Sequence, residues 1–177
     1  VTTPTKRFLA FLVVSPVTLN LGVSIPSPID LPLRPRMNTS DTLLTTLRAI
    51  NASASFNQWC GIQVEKADRG SVEISMPWRN EVGQYSGFLH AGLIGALLDT
   101  ACGFAAVTMV GSRVLASHFS VNCLRPAVGE RFIARAKVVK PGKTQVFTSA
   151  ELYAVAGGEE KLVATGETLL SVVQDAT

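Results

Sequence analysis

Between His90 and Gly111 the chain runs through twenty residues of Ala, Gly, Leu, Ile, Val, Phe, Met, Thr and Cys, broken by one charge, Asp99. A lone ionised carboxylate in such surroundings is costly to bury unless it finds partners or shifts its pKa. The run is as long as a membrane span. However, a charge near the middle of a span is expensive, and no second apolar run of that length exists. Its flanks alternate as strands do and carry no basic clusters. The run therefore reads as the core helix of a folded domain. Asp99 then either bonds a nearby backbone group or is held for chemistry.

The helical period narrows this choice. Ala91, Gly95, Asp99, Cys102 or Gly103, and Ala106 fall on one stripe of small residues. Leu93, Leu97, Ala101, Phe104 and Thr108 form a bulkier opposite stripe, suited to packing on a sheet. The small stripe lets a ligand or another backbone approach Asp99. The helix opens at His90-Ala91-Gly92, whose amide hydrogens have no partners inside the helix and form an anion site. Asp99 follows about 12 Å further along the axis. One helix thus offers an oxyanion site at its start and a carboxylate deeper in.

The rest of the chain supplies the sheet. A helix is expected over Thr42–Ser53, capped by Ser40 or Asp41, with strands over Gly61–Ala67 and Ser71–Met76 joined by an Asp68-Arg69-Gly70 turn. The loop Pro77–Leu89 leads into the long helix. Four strand-like runs come after it, Val114–Leu124, Arg131–Lys140, Thr144–Val155 and Lys161–Val173, separated by Pro- and Gly-containing turns. One long apolar helix among six strands predicts an α+β fold, a strongly curved antiparallel sheet wrapped round that helix. Strict alternation over Val114–Leu124 places Leu115, Ser117, Phe119, Val121 and Cys123 on one face and His118 on the other. Ser117, the polar member of an apolar face, either bonds the backbone or points at Asp99.

Residues 1–36 differ from the remainder of the chain, holding six of the nine prolines and no hydrophobic period. They read as a disordered extension or an over-extended start before Met37, with the domain occupying residues 37–177. Lys6-Arg7 followed by Phe8–Val14 imitates a signal peptide, but the apolar stretch is short and no small-residue cleavage site succeeds it. A net charge of +3 with scattered Lys and Arg gives no nucleic-acid footprint. Cys60, Cys102 and Cys123 match neither a zinc spacing nor a disulfide framework, and with two histidines in all a His-based metal site is disfavoured. Reduced thiols point to the cytoplasm.

The segment Gln84-x-x-Gly87-Phe88-Leu89-His90-Ala91-Gly92, followed by Asp99-Thr100-Ala101-Cys102-Gly103-Phe104-Ala105-Ala106, closely resembles the hotdog-fold acyl-CoA thioesterases of the PaaI-like group. Phe119-x-Val121-Asn122-x-Leu124-Arg125-Pro126-Ala127 and the Val138–Lys143 turn are similar to that group as well. The resemblance covers residues 45–173. It implies a homodimer or homotetramer with active sites at the dimer interface, and needs no metal or other cofactor. By position, Asp99 matches the catalytic carboxylate, general base or nucleophile. Gln84 matches the amide side chain beside the thioester, and the Ala91 amide the donor to its carbonyl oxygen; His90 before it is a further catalytic candidate and Gly92 after it a substrate-binding one. Ser117 falls where some members hold the attacking water. Ala91 is often Gly in relatives, a departure that touches pocket size and leaves the amide.

The expected function is hydrolysis of acyl-CoA or aryl-CoA thioesters. Arg125, Lys140 and Lys143, at strand ends and turns, are candidates for the phosphates of coenzyme A. The alternative is a non-catalytic acyl-CoA binding or sensor protein, which would gain nothing from a carboxylate beside an anionic ligand. A hydratase would want an Asp–His pair that the sequence does not show.

Overall fold

In the computed structural model, which describes residues 39–111 and 113–173, the chain begins with α1 (Thr39–Ser53) and α2 (Ser55–Cys60). A hairpin of β1 (Gln63–Asp68) and β2 (Ser71–Pro77) precedes α3 (Ala91–Val110). Then come β3 (Val114–Cys123), β4 (Arg131–Lys140), β5 (Gln145–Ala156) and β6 (Glu159–Val172). All strands pair antiparallel in one sheet of order β1-β2-β4-β5-β6-β3. The expectations for residues 1–36 and for a start at Met37 lie outside the described residues.

The apolar run is the core helix of this sheet. Ten of the twenty residues of α3 are buried, Ile94, Leu97, Leu98 and Phe104 among them, each large side chain contributing about 1.5–3 kcal/mol by leaving water. The expected division into two stripes is corrected by the curvature of the sheet. Gly95, Cys102 and Ala106 of the small stripe are buried as well as the bulky stripe's Leu97, Ala101, Phe104 and Thr108, because β3 covers Gly95 while β5 and β6 cover Cys102 and Ala106. A methyl group on Gly95 would make ordinary contact, 3.6 Å from the Phe119 ring and 3.7 Å from Val121, so β3 passes directly over this turn of the helix. Of that stripe, Asp99 and Gly103 stay half-open and Ala91 is exposed.

Thr108 ties the helix to the first hairpin, its hydroxyl accepting the Gly70 amide at 2.8 Å and donating to the Ala105 carbonyl at 2.7 Å. Gly70 has φ +83°, the left-handed conformation the Asp68-Arg69-Gly70 turn requires. Neither proposed cap operates on α1, which starts before both residues; Ser40 instead donates to Asp68 at the end of β1. The six-residue α2 is too short to carry a legible period, and it packs on α1 through Asn57, whose amide donates to Asn51 at 3.0 Å.

The strict alternation expected along β3 fails at one point. Ala116 pairs with Leu170 but His118 with Leu169, so Ser117 is the extra residue of a bulge. The faces switch there: Val114 and Ala116 share the helix side with Phe119, Val121 and Cys123, and Leu115 turns to the other side. The strand lies at the sheet edge with Leu115 66% and Phe119 52% exposed.

Candidate active site

The turn that precedes α3 is held at both ends. The Gln84 amide donates to the Phe88 carbonyl at 2.8 Å and the Gly87 amide to the Gln84 carbonyl at 3.0 Å, with Gly87 at φ +76°. Leu89 then bonds the Ala127 carbonyl and His90 the Val82 carbonyl, each at 3.0 Å. In the side chain of Gln84, Oε1 accepts the Ser86 amide at 2.7 Å, which leaves Nε2 with its two hydrogens to offer. These latches bring Gln84, Phe88, Ala91, Leu124, Arg125 and Pro126 to the wall of one cleft of about 530 Å³.

The helix start is more selective than its sequence suggests. His90 is the N-cap, and its Nδ1 accepts the Gly92 amide at 3.0 Å; the Leu93 and Ile94 amides return to the His90 carbonyl at 2.9 and 3.1 Å. Gly92, expected to help hold substrate, thus already has a partner for its amide. Among the described residues no acceptor takes the Ala91 amide. The broad anion site expected over His90–Gly92 narrows to that one donor, on the same cleft as Gln84 and with the positive end of α3 behind it. What the structure gives His90 is this capping contact through Nδ1.

Asp99 faces a second cleft, of about 840 Å³, where α3 is opposed by Leu43, Leu47 and Ile50 of α1. Its Oδ1 is buried and has no hydrogen-bond partner among the described residues, a condition that costs about 1–3 kcal/mol and calls for a reason. Burial pushes the carboxyl above its ordinary 3.8, while a hydrogen bond from the Thr168 hydroxyl works the other way. The hydroxyl beside Asp99 is therefore that of Thr168; Ser117 donates its own to the Leu169 carbonyl at 3.0 Å, closing the bulge. Sequence reading missed Thr168 because only cross-sheet pairing brings β6 under Asp99. It also missed the α1 wall, although Leu43, Leu47 and Ile50 show the helical spacing of a common face.

The three basic candidates separate. Arg125 lines the first cleft, and its amide bonds the Val163 carbonyl near the start of β6. Lys140 pairs with Phe147, which is opposite Leu169, about 20 Å along the sheet from Val163 at the strand rise. Lys143 lies in the turn just beyond. Neither lysine lines either cleft. Asp99 is also absent from the lining of the Gln84 cleft, and Gln84 and Ala91 from that of Asp99.

The raised pKa has a consequence for stability. The folded state holds the Asp99 proton more tightly than the unfolded chain does. The stability this confers is complete below about pH 3.8 and is lost as pH rises through the folded pKa. Asp99→Asn carries no such loss. Its melting temperature relative to wild type is expected to be more favourable near pH 7 than near pH 4; thermal melts at the two pH values with an unchanged difference would refute this.

Residues 86–161 match the family model for the thioesterase superfamily. Human acyl-coenzyme A thioesterase 13 is 31% identical over 130 residues, which are 72% of this chain and 91% of that one. A solved thioesterase family protein from Silicibacter pomeroyi superposes with a TM-score of 0.71 at 38% identity, over 74% of this chain and 98% of that one. The PaaI protein of E. coli, from the phenylacetic acid degradation operon, shares the fold at a TM-score of 0.70 and 20% identity, over 77% of this chain and 97% of its own. With a 31% identical relative covered over 91% of its length and a family match that holds the Asp99 helix and the strands β3 to β5, the chain belongs to the thioesterase superfamily and has its hotdog fold.

Proposed function

We propose that the protein hydrolyses acyl-CoA thioesters. The observation that carries this reading is the buried, unpartnered Oδ1 of Asp99 at the wall of an apolar cleft, in a chain of this superfamily. A carboxylate kept among apolar groups with a raised pKa is a stronger base toward water than an exposed one. Asp99 takes a proton from water as the oxygen adds to the thioester carbon, and the carbonyl oxygen gathers the negative charge. The free Ala91 amide, aimed along the positive end of α3, stabilises that charge, and Nε2 of Gln84 supplies a second hydrogen bond. Collapse breaks the C–S bond, and the departing CoA thiolate takes the proton back from Asp99. Direct attack by Asp99, followed by hydrolysis of the anhydride, uses the same three groups.

These groups line two clefts in one protomer, and the exposed edge of β3 supports a reading in which two copies complete each other. Two β3 edges paired across a twofold axis would join the sheets. Asp99 of one copy would then meet Gln84 and Ala91 of the other, in a homodimer or a homotetramer built from such dimers. The free thiols of Cys60 and Cys102, both buried, favour a reducing compartment such as the cytoplasm.

Arg125, alone of the three basic candidates, shares a cleft with the proposed thioester-binding groups. Assigned to the phosphates of coenzyme A, it contributes binding that is equal in ground and transition states. Arg125→Ala is expected to raise KM for acyl-CoA with little change in kcat. Turnover of the N-acetylcysteamine thioester of the same acyl group, which lacks phosphates, should be far less affected. Equal losses on both substrates would assign Arg125 to the fold. The function itself is tested by free-thiol release from a panel of acyl-CoAs. Tight binding without release would instead favour the non-catalytic acyl-CoA binder.

A further inference from the structure

The cleft beside Asp99 has an unusual wall. Asp99, Gly103 and Val107 of α3 and its C-cap Gly111 succeed one another at four-residue steps, and all four line it. That row spans about 18 Å of helix axis. The facing wall is α1, through Leu43, Leu47 and Ile50. One turn beyond the carboxylate, Gly103 leaves a gap: a methyl group built there meets no atom within 4 Å. Gly103 is in the middle of a regular helix with no positive φ, so its backbone does not call for glycine. A glycine in a helix interior is a poor choice on propensity, which leaves the space itself as its physical consequence.

We propose that the missing side chain at Gly103 sets the acyl-chain length this protein accepts, opening a channel along α3 and α1 for a straight aliphatic chain of medium to long length. The inference rests on the reading of Asp99 as the reacting carboxylate. A thioester carbon placed at Asp99 directs its acyl group along the row, past position 103 and between Val107 and Ile50. The walls are mostly apolar and extended, with Thr46, Thr100 and Arg113 also among the lining, so each added methylene that enters against the apolar part leaves water and strengthens binding. A single aromatic ring would leave most of the roughly 18 Å row unfilled. Helical side chains lean toward the N-terminus, so a larger residue at 103 would tilt back over the turn that carries Asp99. It would close the channel just past the first few carbons.

The test compares wild type, Gly103→Ala and Gly103→Leu on acetyl-, hexanoyl-, dodecanoyl- and phenylacetyl-CoA. In wild type, kcat/KM should be highest for dodecanoyl-CoA. In Gly103→Leu the ratio of dodecanoyl to hexanoyl kcat/KM should fall by about tenfold or more, the scale set by a few methylenes excluded from an apolar pocket. Gly103→Ala should lie between. Both variants should melt no lower than wild type, since each improves helix propensity at an open position. A length profile identical in wild type and Gly103→Leu overturns the inference, as does a wild type that prefers acetyl- or phenylacetyl-CoA. Calorimetry with the non-hydrolysable thioethers butyl-CoA and dodecyl-CoA decides the matter independently of turnover. Tighter binding of dodecyl-CoA that is lost in Gly103→Leu supports the channel, and equal binding in both proteins rejects it. Thiol release from none of the acyl-CoAs would reject the hydrolase reading, and the thioether titrations would still test the channel.

Discussion

Asp99→Asn is expected to keep the fold and lose about two to four orders of magnitude in thiol release, the scale of a lost general base. The substitution preserves shape and the ability to accept the Thr168 hydroxyl hydrogen bond, and removes the group that takes the proton. Because the carboxyl pKa is already raised by burial, neutralising it takes a poorly solvated charge out of the core, so the variant should melt at or above the wild-type temperature near neutral pH. A purely structural Asp99, whose hydrogen bond from Thr168 an asparagine still accepts, predicts a different result: little change in turnover in a folded variant. Activity and melting measured on the same preparation separate the two. Near-wild-type turnover in a well-folded Asp99→Asn would end the proposed mechanism.

Legibility of the fold in the chain divides along physical lines. The core helix and its lone carboxylate were legible because burial by a sheet demands an apolar run of that length and composition. The strands β4, β5 and β6 were legible to within a residue or two because their faces alternate cleanly between Pro- and Gly-marked turns. The bulge at Ser117 was not, since Ala116 and Ser117 are both small and the alternation shows no gap where the register slips. Ser117 donates there to the Leu169 carbonyl, and the hydroxyl beside Asp99 comes from Thr168, on a strand nearly seventy residues away in the chain. At the helix start, the sequence marked an anion site but not its economy, because the Nδ1 bond of His90 to Gly92 depends on a rotamer. Within one protomer Lys140 and Lys143 do not share the cleft of Arg125, for the same kind of reason. Turn residues show exposure in a sequence, whereas which end of the sheet each turn occupies is settled by strand order.

The strongest test of the whole arrangement is complementation between two inactive variants. In one protomer Asp99 is about 12 Å along α3 from Ala91 at the helical rise, and the two line different clefts. In the proposed arrangement a thioester held at Ala91 and Gln84 would meet Asp99 across an interface between two copies. The outer face of the sheet is poorly suited to that interface. There Arg135 is bonded to Glu73 at 2.7 Å and to Glu160 at 2.7 and 2.8 Å, and covering such a network removes charges from water. The β3 edge instead presents Leu115 and Phe119, both more than half exposed, with backbone groups free to pair. Gln84→Ala removes one hydrogen-bond donor from the thioester and is expected to cost about two to three orders of magnitude; Asp99→Asn costs at least as much. In a mixed dimer one of the two sites receives Asp99 from the first variant and Gln84 from the second, and the other site carries both defects. Random exchange of subunits makes half the dimers mixed, so activity should recover to about a quarter of wild type. That is a rise of well over tenfold above either variant alone. The variants are unfolded and refolded together to ensure exchange, then assayed for thiol release, with light scattering on the same samples. No recovery in a co-refolded dimer would place Asp99 and Gln84 of each site in the same protomer, and a monomer active on its own would reject the shared site outright.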